Sequence, residues 1–300
     1  MNIKKISTII LTTIIATNFC APSVEAKVLQ NIVNQIGFYV EYEENNIDFY
    51  NILNRKVMAM VSNTNINYIK SPNTQEEMAE RLYKQRTTHK IYQNGRFQDA
   101  SKLDIAKHLM VNPRYETDQF KYQFLRLDSY KPVNEQKLEN FLLDKGVFKG
   151  HASDFIEAAK ENNIDVIYLV SHAMLETGNG TSKLATGTNI NGVTYYNFFG
   201  INAFDASPMY GGVSLAQKKD WSSISKAIKG GANWISRNYI HSSSNQKTLY
   251  EMRFSPMSKD PWHIYATDLK WPDKISTIMY GISDFYNDGN NFNFELVKYR

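Results

Sequence analysis

The segment "VIYLVSHAMLETGNG", residues 166–180, constrains the fold most, because it is an apolar run that ends in a single acid followed by two glycines. A helix that begins near Asp165 places Leu169, Ala173 and Glu176 on one apolar stripe, at helical spacing. Both the negative end of this helix and its apolar surroundings oppose ionisation of the acid. We therefore expect Glu176 to keep a proton near neutral pH, as a general acid must.

The two glycines, Gly178 and Gly180, predict a turn directly after the helix, because glycine adopts backbone conformations that other residues avoid. Such a turn would let a bulky substrate reach Glu176. A glutamate that only accepts hydrogen bonds from neighbouring backbone donors fits the same spacing equally well. His172 lies one helical turn before Glu176, but no second ligand follows at a matching spacing, so the sequence predicts no metal and no other cofactor.

Composition sets the size of the core and argues against one class of partner. The chain has 300 residues, and 42% of them are hydrophobic, which is enough for one sizeable core or two modest ones. Aromatic residues make up 13%, a content that suits surfaces which stack against flat ligands as well as ordinary core. The formal net charge is only +4, and lysines and arginines are spread evenly, so nucleic-acid binding is not indicated.

The N-terminus has the pattern of an export signal. Two lysines precede an apolar segment from residue 6 to about residue 19, and Val24-Glu25-Ala26 offers small residues where a signal peptidase cleaves. We predict a signal peptide over residues 1–26, with an uncleaved signal anchor as the alternative. The protein is then exported to the cell wall, the outer face of the membrane or the medium. The single cysteine, Cys20, lies inside this segment, so the cleaved chain would contain no disulfide and no thiolate.

Residues 27–145 are predicted to form a helical extension that carries no recognisable chemical motif. Capping residues, prolines and apolar periodicity indicate helices near 47–61, 74–84, 101–110 and 134–145. Asn134 would cap the last of these helices, and Gly146 would follow its end. We interpret the region as an extension that packs on the next domain and offers a surface to a membrane-protein partner.

Five blocks follow in order after about residue 150. They are "LETGNGTSKLA" (175–185), "YYNFFGINAFDASP" (195–208), "WSSISKAIKGGANWI" (221–235), "TLYEMRFSP" (248–256) and "HIYATDLKW" (263–271). In sequence and order these blocks resemble the autolysin-type N-acetylglucosaminidases of glycoside hydrolase family 73. The resemblance covers roughly half of the chain, and five ordered blocks are far more specific than one short motif.

This resemblance implies an α+β, mainly α-helical fold, with a lysozyme-like catalytic domain and a small β-hairpin region. The domain would span residues 146–290, and residues 291–300 would form a C-terminal tail. One signal agrees independently, because Asn191-Gly192 lies between β-favouring residues in "TNINGVTYY" and predicts a hairpin. The implied activity is cleavage of peptidoglycan glycan strands after N-acetylglucosamine, in remodelling of the cell wall.

The resemblance also assigns roles in a candidate active site. Glu176 would be the general acid, and Tyr265 would polarise the acetamide of the sugar or position water. Ile264 stands where related motifs usually have a polar side chain, so no hydrogen bond is expected from it. Asp205 is the obvious second carboxylate, although Asp before Ala-Ser-Pro is also a common turn former. An inverting attack with Asp205 as base, assistance by the substrate's own N-acetyl group, and a lytic transglycosylase reaction all remain open at this stage.

A groove opposite Glu176 is expected to bind the sugar. Its candidate residues form one run in the second block: Tyr195, Tyr196, Asn197, Phe198, Phe199 and Gly200. Aromatic rings stack on the flat CH faces of sugars, and a polar neighbour such as Asn197 would hold an acetamido group. At least one of the two phenylalanines is expected in the core instead. The rival function is a wall-associated binding or scaffolding protein that keeps the groove without catalysis.

Overall fold

In a computed structural model of the protein, the structure describes residues 64–85, 89–183, 185–202, 208–258, 263–287 and 290–300. All of them belong to one compact unit that runs from Arg55 to Arg300. The predicted signal segment at 1–26 and the helix predicted near 47–61 lie outside the described residues. None of the described helices combines the length and the apolar character that a membrane crossing requires.

The described part of the chain is mainly helical. Its α-helices are, in chain order, α1 (Gln75–Lys84), α2 (Lys102–His108), α3 (Asn112–Tyr115), α4 (Glu135–Leu142), α5 (Ala152–Glu161), α6 (Val166–Thr177), α7 (Pro208–Lys218), α8 (Ile224–Ile235), α9 (Leu249–Phe254) and α10 (Trp271–Gly281). A π-helical turn, Ser236–Ile240, continues α8.

The described strands form three two-stranded sheets. The strand β1 (Thr64–Lys70) pairs in parallel with β6 (Phe292–Lys298). Two antiparallel hairpins complete the set. They are β2 (Lys90–Gln93) with β3 (Arg96–Asp99), and β4 (Thr188–Ile190) with β5 (Val193–Tyr195). These small sheets among many helices confirm the predicted α+β, mainly α-helical fold class.

Local capping signals account for where several helices begin. Thr74 precedes α1 and forms a reciprocal capping box with Glu77. The Asn134 side chain accepts the Lys137 N–H at 2.9 Å and caps α4, as the sequence predicted. That helix ends at Leu142, earlier than predicted, and a short 3-10 turn over Gly146–Phe148 follows it. The helices predicted at 74–84, 101–110 and 134–145 are therefore present, with shorter ends.

The extension also contains strands that the sequence analysis did not predict. The partner of β1 lies more than two hundred residues further along the chain, and Thr64 pairs with Phe292. No local pattern indicates such a pairing. Residues 291–300 are accordingly mostly strand rather than a tail, and four β6 residues are buried, namely Phe294, Glu295, Leu296 and Val297. The β2–β3 turn, by contrast, contains an Asn-Gly pair at 94–95, which is a local hairpin signal.

One hydrophobic core joins residues on both sides of position 145. Phe124 and Leu138, from the predicted extension, are fully buried in the same cluster as Phe155, Leu169 and Ile275. The helix α6 packs against α5 and α10 in this core. The described part of the extension thus shares the core of the segment that resembles the glycosidases.

Candidate active site

The helix α6 places Glu176 near its C-terminal end. Its residues from Val166 to Met174 are all buried, so the helix is enclosed on every side rather than along one stripe. Leu169 and Ala173 are fully buried as expected, whereas the Glu176 side chain keeps 26% of its surface exposed. Glu176 is therefore the point where a buried helix meets an open surface.

The start of α6 is fixed by a buried ion pair. Asp165 is the N-cap, and its Oδ1 accepts the Tyr168 N–H at 2.9 Å and the Tyr286 hydroxyl at 2.8 Å. Its Oδ2 lies 2.9 Å from Nζ of Lys131, which is also buried. Both oxygens of the cap are occupied, so buried polar contacts fix the start of the helix.

The two oxygens of Glu176 have different surroundings. Oε1 accepts the indole N–H of Trp271 at 2.9 Å, and Nε2 of His172 lies 3.7 Å from the same oxygen. Oε2 lies beside Gly200, where a Cβ atom would stand 3.0 Å from it. Gly200 also has a φ of 62°, in the left-handed region. A larger residue at 200 would crowd Oε2, so the glycine keeps space beside the carboxyl.

His172 is enclosed by aromatic rings. Its side chain is fully buried, and the rings of Phe199, Tyr265 and Trp271 meet it edge-on with centroid distances of 5.4, 4.7 and 5.2 Å. Its Nδ1 lies 3.1 Å from the Tyr168 hydroxyl. Within the described residues Nε2 has no hydrogen-bond partner. The imidazole thus points one unbonded nitrogen toward the Glu176 carboxyl. In the described part of the chain, no group of three or more side chains could hold a metal ion.

Tyr265 connects the last block to the Gly200 turn. Its hydroxyl donates to the Phe199 carbonyl at 2.8 Å, and its ring stacks on Trp271 with a centroid distance of 5.0 Å and an interplanar angle of 18°. Burial, reinforced by the nearby hydroxyl of Tyr168 and the acid of Glu176, raises the pKa of Tyr265 well above its usual value. The phenol therefore stays protonated and remains a donor throughout the physiological range.

Asp268 supports the loop that carries Tyr265. Its Oδ1 accepts the backbone N–H of Lys270 at 3.0 Å, and its Oδ2 accepts from Nζ of Lys274. Ile264 precedes Tyr265, and its backbone carbonyl accepts the Tyr239 hydroxyl at 3.4 Å. The carboxylate at 268 is thus used to shape the loop and the start of α10.

Three residues predicted to contact the sugar through their side chains do not face a groove. Phe198 and Phe199 are fully buried, with Phe198 packed on Phe148 and Phe199 packed so closely on Gly231 that a Cβ there would lie 2.2 Å from the ring. Asn197 is also buried. Its amide donates to the Ile201 and Gly212 carbonyls and accepts the Ile201 N–H. The expectation that at least one phenylalanine lies in the core is confirmed, and the prediction of these three side chains as ligand contacts is wrong, because the core and the turn already use them.

The other members of that run remain accessible. The β4–β5 hairpin forms around Asn191-Gly192, which confirms the hairpin prediction. Tyr195 ends β5 and is half-buried, as are Tyr196 and Gly200. The Tyr196 ring packs against Phe198 at 5.8 Å. The structure thus brings Glu176, Tyr265 and Gly200 together. Tyr195 and Tyr196 are half-buried on the side of the hairpin.

The two glycines after α6 are required for different structural reasons. Gly178 adopts a left-handed conformation and caps the helix, so the predicted turn is present. A Cβ at Gly180 would lie 2.3 Å from the carbonyl oxygen of Lys145. The Gly180 carbonyl in turn accepts the Val147 N–H at 3.1 Å. Gly180 is therefore required for close packing on the turn before α5, rather than for access of a substrate.

Asp205, the predicted second carboxylate, lies outside the described residues. Trp271 donates its indole N–H to Glu176 and is a candidate site residue that the sequence did not indicate, although it closes the fifth block. The signal that could have found it was its position, because Pro272 fixes Trp271 at the first turn of a helix directly after the Tyr265 loop.

Known proteins that are similar to this chain are glucosaminidases and autolysins. A family model described as mannosyl-glycoprotein endo-beta-N-acetylglucosaminidase matches residues 152–284. The bifunctional autolysin of Staphylococcus aureus strain MSSA476 is 38% identical over 215 residues, which cover 69% of this chain and 17% of the autolysin. The beta-N-acetylglucosaminidase of Bacillus subtilis is 38% identical over 206 residues, which cover 68% of this chain and 23% of that protein. This chain spans about a fifth of the length of these relatives.

A solved structure is matched over almost its whole length. Autolysin E of S. aureus, in complex with the muropeptide NAM-L-Ala-D-iGlu, has a TM-score of 0.67 and 33% identity, and the match covers 77% of this chain and 98% of that chain. A catalytic mutant of autolysin E in complex with the disaccharide NAG-NAM gives the same TM-score at 32% identity. On the strength of this near-complete match, together with the matching family model, the chain belongs to the glucosaminidase family.

Proposed function

We propose that the protein hydrolyses the glycan strand of peptidoglycan after N-acetylglucosamine, at the β-1,4 bond to N-acetylmuramic acid, with Glu176 as the general acid. The observation that carries this proposal is the partly exposed Glu176 carboxyl, held through Oε1 by the Trp271 indole while Oε2 lies beside Gly200. An acid that only satisfied backbone donors would have both oxygens occupied inside the fold. Here one oxygen is oriented and the other has space beside it.

The surroundings of the carboxyl support proton transfer. The Trp271 N–H fixes the plane of the carboxyl, so that Oε2 can present its proton to the glycosidic oxygen of a bound strand. When that oxygen leaves, the carboxylate that remains is stabilised by the same indole N–H. The rings around His172 exclude water from the inner side of the site, which strengthens these interactions.

Tyr265 is proposed as the second active-site group. Its hydroxyl donates to the Phe199 carbonyl, so its oxygen lone pairs remain free to accept a hydrogen bond. The N–H of a sugar acetamide is a suitable donor. We propose that this contact orients the N-acetyl group, while Tyr195, Tyr196 and the Gly200 turn provide the surface on which the sugar rings lie. The complexes of autolysin E with a muropeptide and with NAG-NAM support a ligand of this class.

We propose that the reaction takes place outside the cell membrane, at the wall. Two observations support this location. The N-terminal 26 residues have the pattern of an export signal, and relatives of this chain are autolysins. A membrane-protein partner for residues 27–145 stays a prediction of the sequence.

Digestion of purified peptidoglycan tests the proposal directly. Mass spectrometry of the products should find N-acetylglucosamine at the new reducing ends, and the Glu176→Gln variant should release about a hundredfold less, or lower still, under the same conditions. Reducing N-acetylmuramic acid would instead indicate a muramidase, and anhydro-muramic acid ends would indicate a transglycosylase. Binding of the polymer without any product would favour the scaffolding function.

The anomer of the first product separates the remaining hydrolytic mechanisms. Proton NMR during the first minutes of digestion detects whether the new reducing end is α or β. Inversion would support Asp205 as the base that activates water, because an inverting enzyme needs a second carboxylate on the far side of the sugar. Retention would support attack by the substrate's own acetamide, oriented by Tyr265. An unchanged rate in Asp205→Asn, together with retention, would remove Asp205 from the mechanism.

A further inference from the structure

The loop that carries Tyr265 is joined to the β2–β3 hairpin by backbone hydrogen bonds. The Lys90 N–H donates to the Thr267 carbonyl at 2.9 Å, and the Leu269 N–H donates to the Lys90 carbonyl at 2.8 Å. Residues 90 and 268 therefore form a parallel β-bridge. The hairpin belongs to the region in which the sequence contained no chemical motif, yet it directly contacts the proposed site loop.

Arg253 reinforces the same junction. It lies fully buried at the end of α9, where its Nε donates to the Asp268 carbonyl at 2.8 Å and its Nη2 donates to the Thr267 carbonyl at 2.7 Å. Nη2 also lies 3.1 Å from Nδ1 of His89. A guanidinium has only donors, so Nδ1 must accept, and the ring hydrogen of His89 is on Nε2. That nitrogen lies 3.2 Å from Oε1 of Gln85.

The charges of this pair follow from their burial. Burial and, after it, the charge of Arg253 lower the pKa of His89 to about 3, so the imidazole is neutral and can accept at any physiological pH. Burial also lowers the pKa of Arg253, to about 9, and the guanidinium still carries its charge near neutral pH. A buried cation must have acceptors, and two loop carbonyls and one imidazole supply them here.

The anchored loop ends in the two aromatic residues of the proposed site. At one end the Tyr265 N–H donates to the Met252 carbonyl at 2.9 Å, directly before Arg253. At the other end Trp271 donates its indole N–H to Glu176. The bonds from Lys90 and Arg253 lie between these two points. A shift of the backbone at 267–269 would therefore move both aromatic side chains relative to the carboxyl.

We propose that His89 and Arg253 are positioning residues for the reaction at Glu176, and that the β2–β3 hairpin holds the loop from Tyr265 to Trp271 in the geometry that the reaction requires. This inference rests on the function proposed above. Both side chains act through the backbone of the loop rather than on the sugar. The hairpin is then a functional part of the site, although it lies outside the segment that the family model matches.

Substitutions at position 89 test the proposal in the full chain. His89→Leu fills similar volume but removes the acceptor for Arg253. His89→Asn is the conservative variant, because its side-chain oxygen can stand where Nδ1 stands. His108→Leu is the matched control, since His108 is another buried histidine of the same region and bonds only within its own helix in the contacts described, to the Asp104 carbonyl at 2.7 Å.

Kinetics on soluble glycan strands give the first readout. We expect His89→Leu to lower kcat about tenfold with KM changed less than about twofold, because misplaced catalytic groups reduce turnover more than binding. His89→Asn should recover most of the lost turnover, and His108→Leu should keep it. Equal losses of kcat in His89→Leu and His108→Leu would overturn the proposal, since a general loss of stability would then explain both.

Amide hydrogen exchange gives a second readout that does not depend on activity. We expect faster exchange across 263–271 in His89→Leu than in the wild-type chain, with α4 and α5 unchanged, because the loop loses an anchor that the rest of the core does not share. Unchanged exchange of this loop would overturn the proposal. If the wild-type chain cleaves no glycan, the proposed function fails while this measurement still decides whether the hairpin anchors the loop.

A milder variant covers the case in which His89→Leu does not fold. Gln85→Leu removes the acceptor for the His89 Nε2–H, at the outer side of the pair, and leaves the Arg253 contacts in place. We expect a smaller loss of kcat, with loop exchange raised in the same segment. Wild-type kinetics and exchange in Gln85→Leu, combined with failure of His89→Asn to fold, would reduce His89 to a purely structural role.

Discussion

Two glutamates near helix ends have different surroundings in this molecule. Glu176 follows the buried length of α6 and keeps about a quarter of its side chain exposed. Glu251 lies in the first turn of α9 and is only 3% exposed. Its Oε2 accepts the Lys247 N–H at 2.9 Å, the Thr248 N–H at 3.0 Å and the Thr248 hydroxyl at 3.1 Å. One acid faces a surface, and the other completes a capping box.

The comparison shows that a raised pKa alone does not mark a glutamate as a candidate catalytic acid. Burial, with a smaller contribution from the charge of Glu295, raises the pKa of Glu251 to about 8. Its three hydrogen bonds favour the ionised form but do not offset burial. Glu251 nevertheless has no opening through which a glycan could approach. Glu176 differs because its side chain is partly exposed, its Oε1 is oriented by Trp271 and its Oε2 has space beside Gly200. The role proposed for each acid follows from that difference.

The largest expected effect is a difference in turnover between variants of the two acids. Glu176→Gln should lower turnover on peptidoglycan by about two orders of magnitude or more, since the amide cannot donate a proton as an acid does. Folding and binding of the polymer should persist, because the oxygen of the introduced amide can still accept from Trp271. The matched control is Glu251→Gln, which should keep near wild-type turnover. Comparable rates in the two variants would remove Glu176 from its proposed role.

Tyr265 should show the next largest effect. In Tyr265→Phe the ring and its stacking on Trp271 remain, while the hydrogen bond to the Phe199 carbonyl and the acceptor for the acetamide are lost. We expect turnover to fall roughly tenfold, with Tm lowered by only a few degrees. Tyr239→Phe is the control, because its hydroxyl bonds to Ile264 at a long 3.4 Å. A fall in Tm with normal turnover would make Tyr265 a structural residue.

Trp271 should show a smaller loss. Trp271→Phe keeps an aromatic ring against Tyr265 and His172 but removes the donor to Oε1 of Glu176. One hydrogen bond contributes about 0.5–1.5 kcal/mol, and part of that loss is recovered when water enters. We expect a several-fold decrease in kcat, measured with Trp234→Phe as the control for loss of an indole near Tyr265. An identical decrease in both variants would show that the N–H of Trp271 does not orient the acid.

The same comparison shows which parts of the site the sequence could predict. The position of Glu176 at the end of α6 is predictable because helix spacing, the Asp165 cap and the Gly178 terminator are all local signals, whereas its role as an acid came from the family resemblance. The burial of both Phe198 and Phe199 is not, since Phe199 packs on Gly231, some thirty residues further along the chain, and Phe198 packs on Phe148, fifty residues earlier. The contact between His89 and Arg253 likewise joins positions 164 residues apart. Helix ends and caps can be predicted from neighbouring residues in one sequence, whereas contacts between distant segments are known only from the folded structure.

The pH dependence of stability should sharpen the contrast, although it is the smallest effect expected. Because the pKa of Glu251 is raised to about 8 in the folded chain from 4.5, the folded state retains a proton that the unfolded state loses between these values. The folded state then binds more protons, so stability falls as pH rises through this window and is fully present only below about pH 4.5.

Glu251→Gln should flatten that dependence, since glutamine keeps an oxygen for the capping box and has no proton to lose. Thermal unfolding between pH 5 and pH 8 measures the effect, and we expect the decrease in Tm to be smaller in the variant than in the wild-type chain by a few degrees. Glu157→Gln, which removes an exposed ion pair with Lys229, is the control and should leave the slope unchanged. Parallel curves for Glu251→Gln and the wild-type chain would mean that the buried acid is already ionised in the folded chain.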